Sequence, residues 1–297
     1  MILKVENASF GYSRDNLILR DIDFELREGE IMAVLGPNGI GKTTLLKNIM
    51  GLLKWHSGRT YLCGREISAI TSKELWKIVS YVPQAKNFFT TFSVLDMVVM
   101  GRAPYIGTFS SPSKEDVDMA VEAIEELGIA HLKDSFCCRV SGGQLQLALI
   151  ARALVSNPRI VILDEPESHL DFRNQLLVLE KLSQISRGKN ISCIINTHYP
   201  ENALKIADKT LMLGNGKYVF GDTRDIINEQ ALCDYFDVIV RILPFSYNGK
   251  RYSTISALRL RGNSPVPCDA KHPRPWISPS LRRTPPTNAR QKAEITL

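Results

Sequence analysis

The 297 residues predict an α/β fold with a parallel sheet at its centre. Three observations carry that prediction. Short apolar strands alternate with helical stretches along most of the chain. A glycine-rich loop, GPNGIGKTT (36–44), sits between an apolar strand and a helix. The segment RIVILDE (159–165) is an apolar strand ending in carboxylates, as a strand covered on both faces would read.

Taken in order, ILKV (2–5), the alternation Ile22, Phe24, Leu26 and the run IMAVL (31–35) read as strands, an edge sheet leading into a buried strand. KTTLLKNIMGLL (42–53) reads as a helix ending near Gly51. A strand at RTYLC (59–63), a short helix near 72–77 and a strand at IVSYV (78–82) follow. Residues 93–155 turn mainly helical. Ser93 can cap VLDMVVMG, and Ser113 with Asp116 forms an S-x-x-D capping signal before VDMAVEAIEEL, with GTFSSPS (107–113) a loop between them. After strand 159–165, a helix over about 172–186 precedes strand ISCIINT (191–197), and Pro200 suits the first position of the next helix. TLMLGNGKYVFG (210–221) reads as two strands around an Asn-Gly turn. A helix over roughly 223–236 closes the pattern.

Past about Tyr252 no period survives, and seven of the fifteen prolines fall in 265–286. Residues 249–297 therefore read as a basic, Pro-rich tail without stable order, following a patterned domain over 1–248. From Lys250 onward ten Lys/Arg stand against two Asp/Glu, while the preceding residues carry 27 against 29. The overall charge of +6 thus belongs to the tail, and the core gives no reason to expect nucleic acid as a partner. No run approaches the roughly 18–20 apolar residues of a membrane span. Lys4, Glu6 and Arg14 precede any apolar leader, so a cytosolic location is expected. The six cysteines show no C-x-x-C pair, and Cys63 and Cys193, in strand-like runs, read as inert core thiols.

The chemistry concentrates in four places. GPNGIGKT (36–43) matches G-x-x-x-x-G-K-[ST] in the strand–loop–helix context that the motif requires. Its glycines let backbone amides turn toward phosphate oxygens, Lys42 brings a point charge to the β- and γ-phosphates, and the Thr43 hydroxyl can complete Mg²⁺ coordination. VILDE (161–165) puts Asp164 at a strand's carboxyl end, where it can reach Mg²⁺ through water. Glu165 stands one step beyond, suited to deprotonating an attacking water. A strand-end Asp-Glu pair is also a common loop cap; the phosphate loop decides between the two. SGGQLQLALIARA (141–153) opens an apolar run with a serine and two glycines, a helix whose bare N-terminal amides could hold a second anion. His198, ending strand 191–197, taken alone is equally a satisfied buried histidine.

In this order and spacing the motifs resemble the nucleotide-binding subunit of ATP-binding cassette (ABC) transporters, over about residues 2–240. The resemblance implies an ABC-type P-loop NTPase core, an N-terminal antiparallel β subdomain and a helical subdomain inserted over about 85–157. Tyr12 in FGY stands where the family stacks an aromatic on adenine. The phosphate cradle is Gly36, Pro37, Asn38, Gly39, Ile40, Gly41, Lys42, Thr43 and Thr44. Gln84 in YVPQ matches the Q-loop glutamine, which touches Mg²⁺ and senses the transport subunit; Thr43 and Asp164 complete the implied metal set. Ser141, Gly142, Gly143 and Gln144 match the signature, SHLD (168–171) with Asp171 the D-loop, and THYP (197–200) the switch loop. His198 is there expected to hydrogen-bond the γ-phosphate. Glu165, His198, Lys42 and Gln84 form the implied catalytic set.

The family reading answers why one chain carries two phosphate cradles. Two copies are expected to pair head to tail, so that Ser141–Gly143 of one face the ATP held by 36–44 of the other. The insert with SVLDMVVMGRAPYIG (93–107) looks like the ATPases of type II importers, which serve iron–siderophore, haem, cobalamin and in some cases molybdate or tungstate uptake. An iron chelate is the first expectation, with cobalamin or molybdate/tungstate as the alternative. The implied partners are a transmembrane permease and, indirectly, a substrate-binding protein; the implied place is the cytoplasmic face of the membrane. Val140, Leu145, Glu167 and His169 depart from the usual pattern, Glu167 and His169 replacing the commoner Thr and Ala. None removes a phosphate, metal or water-orienting group.

Overall fold

Alternating burial sets the first sheet. A computed structural model describes residues 1–13, 16–84, 91–107 and 109–262. β1 (Leu3–Phe10) and β2 (Leu19–Leu26) pair antiparallel, Leu3 opposite Leu26, and Ile22, Phe24 and Leu26 turn inward as their period-2 spacing requires. β3 (Ile31–Leu35) is buried at every residue and runs through the glycine loop into α1 (Lys42–Ile49). β4 (Ser57–Leu62) then pairs with the other edge of β1, and β5 (Arg65–Glu66) extends that sheet.

α2 (Ser72–Ile78), started by a Thr71–Glu74 capping box, feeds β6 (Val79–Val82). Three helices follow: α3 (Val94–Val99), α4 (Lys114–Glu126) and α5 (Gly142–Leu154). Capping boxes at Ser93–Asp96 and Ser113–Asp116 fix where α3 and α4 begin. Their apolar faces close over α5, whose Ala148, Leu149, Ile150 and Ala151 are 0% exposed. Each fully buried large apolar side chain contributes about 1.5–3 kcal/mol, so α5 is the pillar of this layer. Asp116 does double duty. It accepts from Ser113 and from Arg102 Nε at 2.8 Å, and the guanidinium first, then the serine, hold its carboxyl down to about 2. Residues 85–90, where the helical insertion was expected to begin, lie outside the described residues.

β7 (Ile160–Asp164), α6 (Phe172–Lys189), β8 (Ser192–Asn196), α7 (Pro200–Ile206), β9 (Lys209–Gly214) and β10 (Lys217–Asp222) complete the core. The central sheet runs β10-β9-β3-β8-β7-β6, parallel except for β10. β7 and β8, like β3, are buried throughout. The carboxyl ends of these three neighbours therefore open on one crevice, the place where such sheets hold ligands.

α1 ends at Ile49, close to the end expected near Gly51, whose φ of +68 turns the chain out of the helix. Three sequence expectations change. The single helix expected over 223–236 is two, α8 (Thr223–Ile226) and α9 (Glu229–Phe236), since Asn228 caps the second by accepting from the Ala231 amide at 2.8 Å. Cys63 is no strand residue: with φ +51 beside Gly64 at φ +78 it forms the two-residue turn between β4 and β5 and is partly exposed. Cys193 is buried, and burial pushes its thiol up to about 12.

The tail boundary at 249 is the third. β11 (Val238–Tyr247) and β12 (Lys250–Leu260) form an antiparallel hairpin across it. Asn248 and Gly249 both take positive φ, the requirement of its tight turn. Val240 packs into the cluster around Leu232, Met212 and Ala33, with Ile242 and Ile255 against it. Glu201 accepts from Thr254 Oγ1 and the Ile255 amide, and Arg261 pairs with Asp234 at 2.8 Å. The prolines of 265–286 lie outside the described residues.

Candidate functional site

β3 ends in a loop that only glycine can form. Gly36, Gly39 and Gly41 take φ +150, +78 and +108, and a Cβ on Gly36 would stand 2.6 Å from the Leu213 carbonyl oxygen. Gly41 also starts α1 without a side-chain cap, leaving first-turn amides directed at the loop's interior. Lys42 is 5% exposed and donates to the Gly36 and Pro37 carbonyls at 2.8 and 3.0 Å. Burial pushes its ammonium below the ordinary lysine range, and the charges of Glu165 and Asp164 oppose that push. The loop bounds a cleft of about 220 Å³ whose walls include Asn38, Gly39, Thr43, Thr44 and Tyr12. Ile40 turns instead toward the apolar cluster below. Tyr12 is 69% exposed, lies edge-on to Phe10 and brings its hydroxyl to 3.2 Å from Thr44 Oγ1.

Asp164 ends β7 against the same cleft. Thr43 Oγ1 donates to it at 3.1 Å, Tyr81 Oη at 3.2 Å, and Asn196 Nδ2 donates to its other oxygen. Burial, helped by Asp164, raises the Tyr81 phenol, which therefore stays a donor. A hydroxyl beside one carboxylate is the sparse donor set that suits Mg²⁺, an ion that keeps waters and phosphate oxygens as its remaining ligands. The described residues contain no cluster of three His, Cys, Asp or Glu that would suggest a protein-caged metal instead.

Glu165 takes φ +50, unusual for a non-glycine residue, and its amide donates to the Asn196 carbonyl at 2.9 Å. The turn aims its carboxylate back at the cleft. There Oε2 accepts from Gln84 Nε2 at 3.0 Å and Ser168 Oγ at 2.9 Å, while Oε1 stands 3.7 Å from His198 Nδ1. The buried His198 Nδ1 and Asn196 Oδ1 have no hydrogen-bond partner among the described residues; Asn196 lines the cleft, and His198 stands beside Glu165, which also lines it. A bound polar ligand would give them one.

The structure thus brings Lys42, Thr43, Gln84, Asp164, Glu165 and His198 to one crevice. It sets the other expected residues apart. Ser141 caps α5 reciprocally with Gln144, and none of 141–144 lines the cleft. Ser141 and Gly142 are exposed. Gly143 is buried, and a Cβ there would meet the Asn174 side chain at 2.6 Å. Asn174 in turn donates through its amide and side chain to Asp171, the cap of α6, both at 2.8 Å. Two groups escape the sequence reading, Tyr81 and Asn196. Asn196 is a polar residue closing an otherwise apolar strand, directly opposite Asp164 in register, which is the signal that could have found it.

Comparison with known proteins places the chain among relatives of one family. Residues 19–168 match the family described as ABC transporter, and a shorter stretch, 139–201, matches one described as AAA domain, putative AbiEii toxin, type IV toxin–antitoxin system. The chain is 37% identical over 234 residues to the molybdate import ATP-binding protein MolC of Haemophilus influenzae, covering 79% of this chain and 87% of that one. It is 36% identical over 218 residues to a probable iron chelatin transport ATP-binding protein of Helicobacter pylori, covering 73% and 85%. Among solved structures, an inward-facing putative metal-chelate type ABC transporter superposes with a TM-score of 0.78 at 34% identity, covering 86% of this chain and 97% of that one.

Proposed function

The chain belongs to the ABC transporter family of ATP-binding proteins, and on that premise we propose that it is the ATP-hydrolysing subunit of a membrane importer. One observation carries the reading: Thr43 and Asp164 converge at the mouth of the phosphate loop with Glu165 beside them. On this reading the ATPase domain runs through the β11–β12 hairpin to Leu260, with a helical subdomain over about 85–157.

The reaction is phosphoryl transfer to water, in which positioning and charge stabilisation dominate. Gly36–Thr44 wrap the phosphates, and Lys42 gives its donors to the β- and γ-phosphates in place of the Gly36 and Pro37 carbonyls. Thr43, Asp164 and Gln84 would hold Mg²⁺, which when bound neutralises charge on the phosphates. Glu165 takes the proton of the attacking water, oriented by its bonds to Gln84 and Ser168. As the water oxygen bonds to the γ-phosphorus, the bond to the β-bridging oxygen breaks and ADP leaves. His198 holds the γ-phosphate oxygens, and Tyr12 stacks on adenine.

A single chain keeps its signature away from its own cleft, which supports a head-to-tail pair: Ser141, Gly142, Gly143 and Gln144 of one copy, with Asp171, close on the ATP of the other. Amides and dipole at the start of α5 suit a phosphate. A permease at the cytoplasmic membrane face, fed by a substrate-binding protein, is the further partner; the similarity to a chain of an intact transporter supports it. The cargo we propose is an iron chelate, supported by the iron chelatin relative and the metal-chelate transporter. Molybdate is the second reading, favoured by the Haemophilus relative. Uptake by cells carrying this chain and its neighbouring permease, with ⁵⁵Fe-chelate against ⁹⁹Mo-molybdate, decides between them. Accumulation of neither, with Lys42→Ala no different from the parent chain, would refute the importer reading.

A further inference from the structure

Glu167 is 0% exposed and faces no cation among the described residues. Its Oε1 accepts from Thr197 Oγ1, while its Oε2 has no hydrogen-bond partner. Asn202 lies beside it, near enough for its side chain to join Thr197 in pulling the carboxyl down. Thr197 Oγ1 accepts in turn from the Tyr199 amide at 3.0 Å, and the Thr197 amide is tied to the Val34 carbonyl at 3.1 Å. One buried carboxyl therefore holds Thr197, whose hydroxyl in turn reaches across His198 to the Tyr199 amide.

The other end of the connection is the backbone. Glu167 sits on the tight turn that begins at Glu165, where the Ser168 amide donates to the Glu165 carbonyl and the Leu170 amide to that of Glu167. The side chain dives from this turn into the protein, and burial pushes its carboxyl above the usual range against the pull of Thr197. A buried carboxyl with no cation to pair with is destabilising in itself. A core that merely needed filling would be better served by an apolar side chain. The arrangement has a different effect: it ties the turn carrying Glu165 to the loop carrying His198, whose side chains stand 3.7 Å apart.

We propose that Glu167 is a positioning residue for hydrolysis, fixing the spacing of Glu165 and His198 through Thr197. This rests on the reading of Glu165 and His198 as the water-activating and phosphate-holding groups. Glu167 itself touches neither nucleotide nor water. It acts through the loop, so its loss slows turnover without weakening ATP binding.

The test compares Glu167→Leu, which fills the site but accepts nothing, with Glu167→Gln, whose amide oxygen still accepts from Thr197. Steady-state and single-turnover hydrolysis are measured alone and in a His198→Ala background. Glu167→Leu is expected to lower kcat about 10- to 100-fold with KM for ATP within about twofold, as a misplacement of around 1 Å does. Glu167→Gln is expected within about threefold of the parent. Glu167→Leu/His198→Ala should be no slower than His198→Ala. Should the leucine variant fail to fold, Thr197→Val cuts the same link from the other side and must show the same loss. A parental kcat in the leucine or valine variant, or an undiminished further loss in the His198→Ala background, overturns the proposal. Parental hydrolysis by His198→Ala would instead overturn the reading beneath it.

Discussion

Gly143→Ala probes the seam between the signature helix and the segment leading into α6. The added Cβ would stand 2.6 Å from Asn174 Cγ and 2.9 Å from its Cβ and Nδ2, closer than carbon atoms tolerate. Rotating Asn174 away relieves two of these contacts but breaks its 2.8 Å bond to Asp171; the contact with the Asn174 Cβ needs a backbone shift. Overpacking of this kind costs about 1–3 kcal/mol, and a lost hydrogen bond about 1 kcal/mol more. The expected loss is thus about 2–4 kcal/mol, read as a lower urea midpoint at unchanged slope. A double-mutant cycle with Asn174→Gly isolates the cause. With no side chain at 174 the alanine should cost less than about 0.5 kcal/mol. Equal loss in both backgrounds, or none in either, would refute the steric argument.

Four further outcomes follow from the same geometry. Glu165→Gln keeps the shape of the site and the loop's hold on phosphate but removes the base; hydrolysis should fall about 10²- to 10⁴-fold while equilibrium ATP binding stays within about threefold. Asp116 has its carboxyl depressed from 3.8 to about 2, so the stability it supplies is complete above 3.8 and lost as pH falls through 2. Asp116→Asn should unfold more easily at neutral pH and show a flatter dependence of urea midpoint between pH 4 and 2. A chain ended after Asn248 uncovers Val240 and frees Glu201 from Thr254, and should unfold at least about 1.5 kcal/mol more easily than one ended after Gly262. Asn196→Ala removes a donor to Asp164 and should weaken the Mg²⁺ dependence of hydrolysis, seen as a higher Mg²⁺ concentration for half-maximal rate.

Local signals read well where one physical cause dominates. Both S-x-x-D capping boxes, the apolar runs of β3 and β7 and the strained glycine loop each follow from a single requirement of backbone or burial. The C-terminal hairpin is hidden in the sequence by its neighbour, because the prolines beyond 265 give the whole C-terminal stretch the composition of an unpatterned tail. Asn248–Gly249, flanked by Phe245, Tyr247 and Tyr252, was a hairpin signal in plain view. Cys63 was misread for the opposite reason: an apolar run suggested a strand, while Cys63–Gly64 needed two positive φ angles. At the site, residues of a contiguous motif could be assembled from spacing. Tyr81 could not, because its value lies in the register of β6 against β7, while Asn196 showed only as the polar residue closing an apolar strand. Glu167 stood out as an odd residue type, but its role depends on what lies beneath the turn.

The central claim is that two copies share each ATP, one providing residues 36–44 and the other 141–144. Ser141→Arg spoils the signature of one chain, and Lys42→Ala the phosphate loop of another. In a heterodimer purified through two different tags, one composite site combines an intact loop with an intact signature, and the other combines both defects. Hydrolysis by that heterodimer, against two inactive homodimers, is the direct measurement. Sharing of each ATP between two copies predicts recovery toward half the parental rate per dimer; a heterodimer as inactive as either homodimer would refute it.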